Sequence, residues 1–264
     1  MSRTDERRRW RNLEADAEAE ASKHPLTPAQ RDQIREALDR ARKNLGGEDV
    51  RSHRVGFDVD KWPDVLALPA PALESKHLSR GDGFDIAREA VTSATNWQLF
   101  CMSFVFGYGM YGVGPTRLQR ILKRTAQQQL CDVIGEARKR LHHDGPLSSY
   151  DYLRGSDTHR TVPFWGPAFF TKLLYFAAGE SGGALILDNQ TAWIVARLSS
   201  MNHLVSTRGR SECWTVWRYA VYLAWIRMVA TQLQVQPDFL EYALFSEAKR
   251  RRRRPRLRRT GLAT

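Results

Sequence analysis

The chain has 264 residues, a formal net charge of +12 and 42% hydrophobic residues, enough for one sizeable core or two small ones. No apolar run approaches the roughly 18–20 residues that a membrane-spanning helix needs. The N-terminus is charged from Arg3 onward, which predicts no secretory leader. Three scattered cysteines (Cys101, Cys131, Cys213), without CxxC or His/Cys spacing, predict a reducing, cytoplasmic setting and no zinc.

Residues 1–25 are charged and alanine-rich, with Trp10 and Leu13 as the only large apolar residues. They read as a solvated helix or a disordered segment. Thr27 before Pro28 is a helix start; Ile34, Leu38, Ala41 and Leu45 hold the helical period until Gly46 and Gly47 stop it. In residues 50–79, Pro63, Pro69 and Pro71 break any sustained period, so this stretch reads as extended loop, with a small strand element in residues 50–70. The pattern predicts a helix over 84–106 and a glycine-rich turn over 107–114. Helices then follow over 116–122 and 131–141, with a loop or short helix over 148–160. Another helix starts after Gly166, and the next runs from Asp188 to about residue 198. The helix over 212–233 is apolar nearly all round and is therefore expected at the centre. Pro237 opens a closing helix over 238–246. The fold class expected is mainly α, with one helical domain over 26–247 between the N-terminal segment and a disordered basic tail over 248–264.

The charge is concentrated at that tail. Residues 249–259 (KRRRRRPRLRR) hold nine basic residues in eleven positions, and without them the rest of the chain carries +3. Arg250, Arg251, Arg252, Arg253 and Arg254 would bind a polyanion, DNA or RNA, with strong salt dependence. Charge alone assigns no chemistry.

Two segments have the grammar of a phosphate-binding hairpin between helices. One is Tyr111-Gly112-Val113-Gly114-Pro115-Thr116-Arg117; the other is Pro163-Phe164-Trp165-Gly166-Pro167-Ala168-Phe169-Phe170-Thr171-Lys172. A tight turn followed by a helix N-terminus aims unpaired backbone N–H groups at one place, and glycine lets the phosphate approach. The second segment runs into Leu185-Ile186-Leu187-Asp188-Asn189-Gln190. Asp188 reads first as a helix N-cap. An anion held near a helix N-terminus is also the useful state for supporting a sugar that becomes oxocarbenium-like as its base leaves.

The ordered set of hairpin, apolar helix, glycine-bearing loop, aliphatic-Asp and helix resembles the helix–hairpin–helix DNA glycosylase superfamily. Within it, the nearest likeness is to the bacterial group with an 8-oxoguanine DNA glycosylase fold. The runs GPAFFTKLLYF, LILD and PDFLEYALFS, and the helix with Trp214, Trp217, Tyr219 and Tyr222, carry this resemblance over about residues 95–246. The resemblance implies that Asp188 is the catalytic carboxylate, that the partner is duplex DNA with a modified base, and that no cofactor is needed. It implies a monomer in the cytoplasm, associated with the nucleoid. Bifunctional members place a nucleophilic lysine two residues after the second hairpin glycine, where this chain has Ala168. Lys172 lies one helical turn later and reads as nucleophile, phosphate contact or snorkelling surface lysine. The expected activity is therefore base removal that leaves an abasic site, with oxidised guanine or a phage hypermodified cytosine as substrate, the latter in antiphage defence. Trp165, Phe169, Trp193, Asn189 and Gln190 are the candidate base contacts; Gly112, Gly114, Thr116, Arg117, Gly166 and Ala168 are the candidate backbone contacts to DNA. The alternative is a non-catalytic DNA- or RNA-binding module in which Asp188 is only a cap.

Overall fold

The computed structural model describes residues 3–110, 112–155, 161–180, 183–204 and 214–253. Within them the chain is almost wholly helical: α1 Arg3–Ser22, α2 Pro28–Asn44, α3 Ala70–Ser75, α4 Arg80–Arg88, α5 Ser93–Tyr108, α6 Val113–Leu122, α7 Gln127–Asp144, α8 Pro146–Arg154, α9 Pro167–Ala178, α10 Asn189–Ser199, α11 Val216–Leu233 and α12 Pro237–Arg253. A two-stranded antiparallel ribbon joins β1 Arg54–Gly56 to β2 His77–Ser79, with Val55 opposite Leu78. The strand element expected in residues 50–70 is β1; its partner lies beyond that range. No described helix is long and apolar enough to cross a membrane.

Two helices organise the interior. In α5, Leu99 to Val105 is buried without a break, and α4, α6, α7 and α9 surround it. In α11, Tyr219 to Ile226 is likewise buried, and α1, α8 and α12 pack on it. This central position is the one expected from an apolar pattern that runs all round the helix. The helix expected over 84–106 is in fact two. The first ends at Arg88 with Glu89 as its C-cap, and Thr92 caps the second, its hydroxyl accepting from Thr95 N–H while Thr95 Oγ1 accepts from Thr92 N–H.

The N-terminal segment is neither a solvated helix nor disordered. Trp10, Ala17 and Ala21 form a buried stripe on α1 that lies along α11, and the small alanines let the two helices approach. The Trp225 indole closes the contact by donating to His24 O at 3.1 Å.

The basic tail also begins differently from expectation. Helix α12 continues through Lys249 to Arg253, so residues 248–253 are not a disordered arm. The cause is Glu247, which is 3% exposed and accepts from Arg250 at 2.6 Å, Arg251 at 2.6 Å and Arg40 of α2 at 3.1 Å. Burial alone would raise its carboxyl; the hydrogen bonds from Arg250 and Arg251 and the charge of Arg40 outweigh it and hold it at about 2. The folded value lies below the ordinary 4.5, so the stabilisation is full above that pH and is lost as pH falls toward 2. Glu247→Gln is expected to cost roughly 1.5–3 kcal/mol at neutral pH and to flatten the acid limb of the stability curve, read by urea unfolding at several pH values. Arg254 and the residues after it lie outside the described residues.

Candidate active site

The segment from 184 to 187 is buried and non-helical, so its backbone groups need partners from outside. Helices α11 and α9 supply them. Tyr219 Oη accepts from Leu185 N–H at 3.2 Å and donates to Leu185 O at 2.9 Å; Tyr222 Oη donates to Ile186 O at 2.7 Å. From α9, Thr171 Oγ1 accepts from Leu187 N–H at 3.2 Å. These bonds hold the aliphatic run in place and deliver Asp188 to the start of α10.

The two oxygens of Asp188 divide its work. Oδ1 takes every capping contact: Gln190 N–H at 2.9 Å, Thr191 N–H at 3.0 Å and Thr191 Oγ1 at 3.2 Å. Oδ2 faces Lys172 Nζ at 3.6 Å. Cap and pocket carboxylate are thus one residue in two roles.

Lys172 sits on α9 and is only 6% exposed. Its Nζ donates to Ala168 O at 2.6 Å and lies 5.6 Å from the centre of the Phe169 ring. Burial lowers its affinity for the proton below the ordinary lysine value, with the Asp188 charge pulling the other way. The reading of Lys172 as a snorkelling surface lysine is excluded by this placement. Gly107 makes the arrangement possible: a Cβ there would sit 2.8 Å from Phe169 and 3.4 Å from Lys172 Cδ.

Lys172 and Asp188 lie in a half-open cavity of about 990 Å³ between the end of α5, the starts of α6, α9 and α10, and the inner face of α12. Its mouth carries Arg54, Arg117, Arg120, Lys249 and Arg252. Its wall includes Phe169, stacked on Tyr108 at 4.5 Å and on Phe104 at 5.3 Å, together with Phe106 and Phe245. At the depth of the cavity are Arg80 and Glu241, each 1% exposed, with Arg80 Nη1 2.8 Å from Glu241 Oε2. Burial pushes the Glu241 carboxyl up to about 7 against the pull of Arg80. His53 is held well below its ordinary value, first by burial and then by the charges of Arg80 and Lys249, so it is a neutral imidazole at physiological pH. No cluster of three or more His, Cys, Asp or Glu among the described residues is placed to hold a metal ion.

The cavity brings together Asp188, Lys172, Phe169, Asn189, Gln190, Ala168, Thr116 and Arg117 from the sequence-based candidates. Others fall elsewhere. Trp165 is 1% exposed and packs edge-on against Phe100 at 5.2 Å, so it is core and stacks on no base. The residue turned outward is Phe164, at φ 66° and 38% exposed, with the Arg120 guanidinium 5.2 Å above its ring. Gly114 lies inside α6, where a Cβ would meet Trp62 and Tyr108 at 2.7–2.8 Å; it serves packing, not phosphate. Gly112 is at the N-cap of α6 with open space around it, and Gly166 is at the N-cap of α9 without a side-chain cap. Trp193 lies outside the cavity, with the guanidinium groups of Arg197 and Arg252 at 5.2 Å and 5.0 Å from its ring. Arg250 and Arg251 are committed to Glu247; Arg252 alone of the arginines expected in the tail lines the cavity among the described residues.

Arg80 and Glu241 were missed by sequence reasoning, because a lone charged residue on an apolar helix face carries no motif. The PDFLEYALF run does hold the signal: a glutamate between Leu240 and Leu244 on a stripe that must be buried.

The model of a family described as "Putative 8-oxoguanine DNA glycosylase OGG-like protein" matches residues 48–245. No curated protein and no solved structure matches the chain.

Proposed function

The chain belongs to the OGG-like family of 8-oxoguanine DNA glycosylases, and from that premise we propose that it draws a modified nucleotide into the cavity and removes its base with Lys172 as nucleophile and Asp188 as supporting carboxylate. The observation that carries this reading is Oδ2 of Asp188, left over by the helix cap, 3.6 Å from a buried lysine whose proton affinity is lowered. A desolvated amine offers its lone pair more readily than a solvated ammonium does. The Nζ–C1′ bond forms as the C1′–N bond breaks, and the electron pair of the broken bond leaves on the base, which takes up a proton. Asp188 stabilises the positive charge that develops on the sugar. The C1′–O4′ bond then breaks, its electron pair leaving on O4′, which takes up the proton that Nζ gives up; the resulting imine between Lys172 and C1′ permits loss of a C2′ proton and elimination of the 3′ phosphate. The position of Ala168, where bifunctional relatives would carry lysine, supports a second course: water attacks in place of Lys172, and an uncut abasic site remains. Strand cleavage separates the two: the imine course cuts the strand during the reaction, and the water course leaves an abasic site that is cut only when alkali is added.

The ring of Arg54, Arg117, Arg120, Lys249 and Arg252 suits the phosphates that flank the extruded nucleotide. Phe164, beside that ring, is the aromatic surface available to fill the gap left in the duplex. Phe164→Ala is expected to lower excision from duplex DNA roughly tenfold while sparing single-stranded substrate, measured by single-turnover alkali cleavage. The cavity volume admits a bare oxidised guanine, which would make the enzyme a repair protein. It also admits a bulkier modified cytosine, which would make it an antiphage one.

A further inference from the structure

We propose that His53 donates its Nε2–H to an oxygen of the departing base, and so carries part of the charge that the broken glycosidic bond leaves there. The inference rests on the glycosylase reading above and adds the group that helps the base to leave. Its starting point is Arg80, whose backbone N–H donates to His53 O at 3.0 Å and whose Nε donates to His53 Nδ1 at 3.3 Å. A guanidinium can only donate, so Nδ1 is the lone-pair nitrogen and the ring hydrogen sits on Nε2. Phe106 meets the ring edge-on at 5.5 Å and Tyr242 lies tilted against it at 4.6 Å, which fixes its plane.

Nε2 has no hydrogen-bond partner among the described residues, and it is not sealed from solvent. His53 lines the same cavity as Lys172 and Asp188, so its donor is offered there. The charges that act on the ring are those of Arg80 on α4 and Lys249 on α12, both cations; with burial they keep it unprotonated. A neutral imidazole lends a hydrogen bond without losing its proton, because the loss would leave an imidazolate; the proton that the base takes up therefore comes from water. Breaking the C1′–N bond puts an electron pair on the base, and conjugation spreads it to a ring carbonyl oxygen, which oxidised guanine and a modified cytosine both possess. A donor aimed at that oxygen before the reaction stabilises the charge as it develops. Thr116, Asn189 and Gln190 also line the cavity, from α6 and α10. His53 differs from them in that Arg80 fixes its donor atom in advance.

The test uses the full chain and three DNA duplexes, carrying oxidised guanine, a glucosylated hydroxymethylcytosine, or a tetrahydrofuran abasic-site analogue. In His53→Asn the amide oxygen stands where Nδ1 does and accepts from Arg80 Nε, while the donor at Nε2 is lost. Single-turnover excision of whichever base the wild type removes is expected to fall on the order of 100-fold. Affinity for the abasic duplex, which has no base to hold, should stay within about threefold of wild type. His53→Gln reaches the Nε2 position with an amide N–H and should recover at least about tenfold over the asparagine variant. Independently of any variant's folding, nuclear magnetic resonance of the wild type with isotope-labelled histidine should show one ring protonated at Nε2 alone and unchanged from about pH 6 to about pH 8. Four results each overturn the inference: no such ring, undiminished excision by the asparagine variant, no recovery by the glutamine variant, or an equal fall of excision and abasic-site affinity, which would make His53 a phosphate contact. A wild type that excises neither base overturns the function itself, and the inference with it, whatever the resonance shows.

Discussion

Lys172→Met abolishes borohydride trapping and lowers excision of the modified base by about a thousandfold or more, as expected when the nucleophile of a covalent mechanism is removed. The methionine keeps most of the side-chain volume against Phe169 and removes a charge that burial disfavours. Asp188 does not become an orphan, because Oδ1 retains its three donors at the start of α10. Stability should therefore change by no more than about 1 kcal/mol, so that circular dichroism melting separates lost chemistry from lost fold. If excision persists while trapping vanishes, water is the attacking group and Lys172 is a pocket contact.

Asp188→Asn and Asp188→Ala form the second test, and their comparison divides capping from chemistry. Asparagine caps a helix about as well as aspartate, so Asp188→Asn should lose less than about 1 kcal/mol of stability. It removes the charge opposite the reacting sugar, and excision should fall by about 10²–10³. Asp188→Ala removes the cap as well, at a further cost of roughly 1–2 kcal/mol, with excision as low as in the asparagine variant. Urea unfolding and single-turnover excision on the same samples give both numbers. Equal excision in wild type and Asp188→Asn would reduce Asp188 to a cap.

Much of the framework could be read from local rules. Thr27 before Pro28 fixes the start of α2, and the continuous apolar face of residues 219–226 fixes α11 at the centre. The LILD run reads locally as an N-cap, which Asp188 is; only the resemblance singles it out as a catalytic carboxylate. What remained hidden depended on contacts distant in sequence. Lys172 stood at the wrong spacing for a hairpin nucleophile, yet one helical turn brings it to the same cavity, in space that Gly107 of α5 leaves open. Trp165 was expected to face DNA but lies in the core, and Phe164, at φ 66°, is the exposed aromatic of the turn. The alanines at 17 and 21 gave a weak apolar signal, and only the presence of α11 shows why they are small. The arginines after Glu247 look like a free polycation in sequence, but their buried partner makes the first of them part of a helix.

The most direct measurement is to incubate the wild-type protein with duplex DNA carrying oxidised guanine in the presence of borohydride, digest the product and locate the modified peptide. The predicted result is a DNA remnant on Lys172. Intact DNA with unmodified protein would contradict the glycosylase assignment, and abasic DNA with unmodified protein would contradict the role of Lys172.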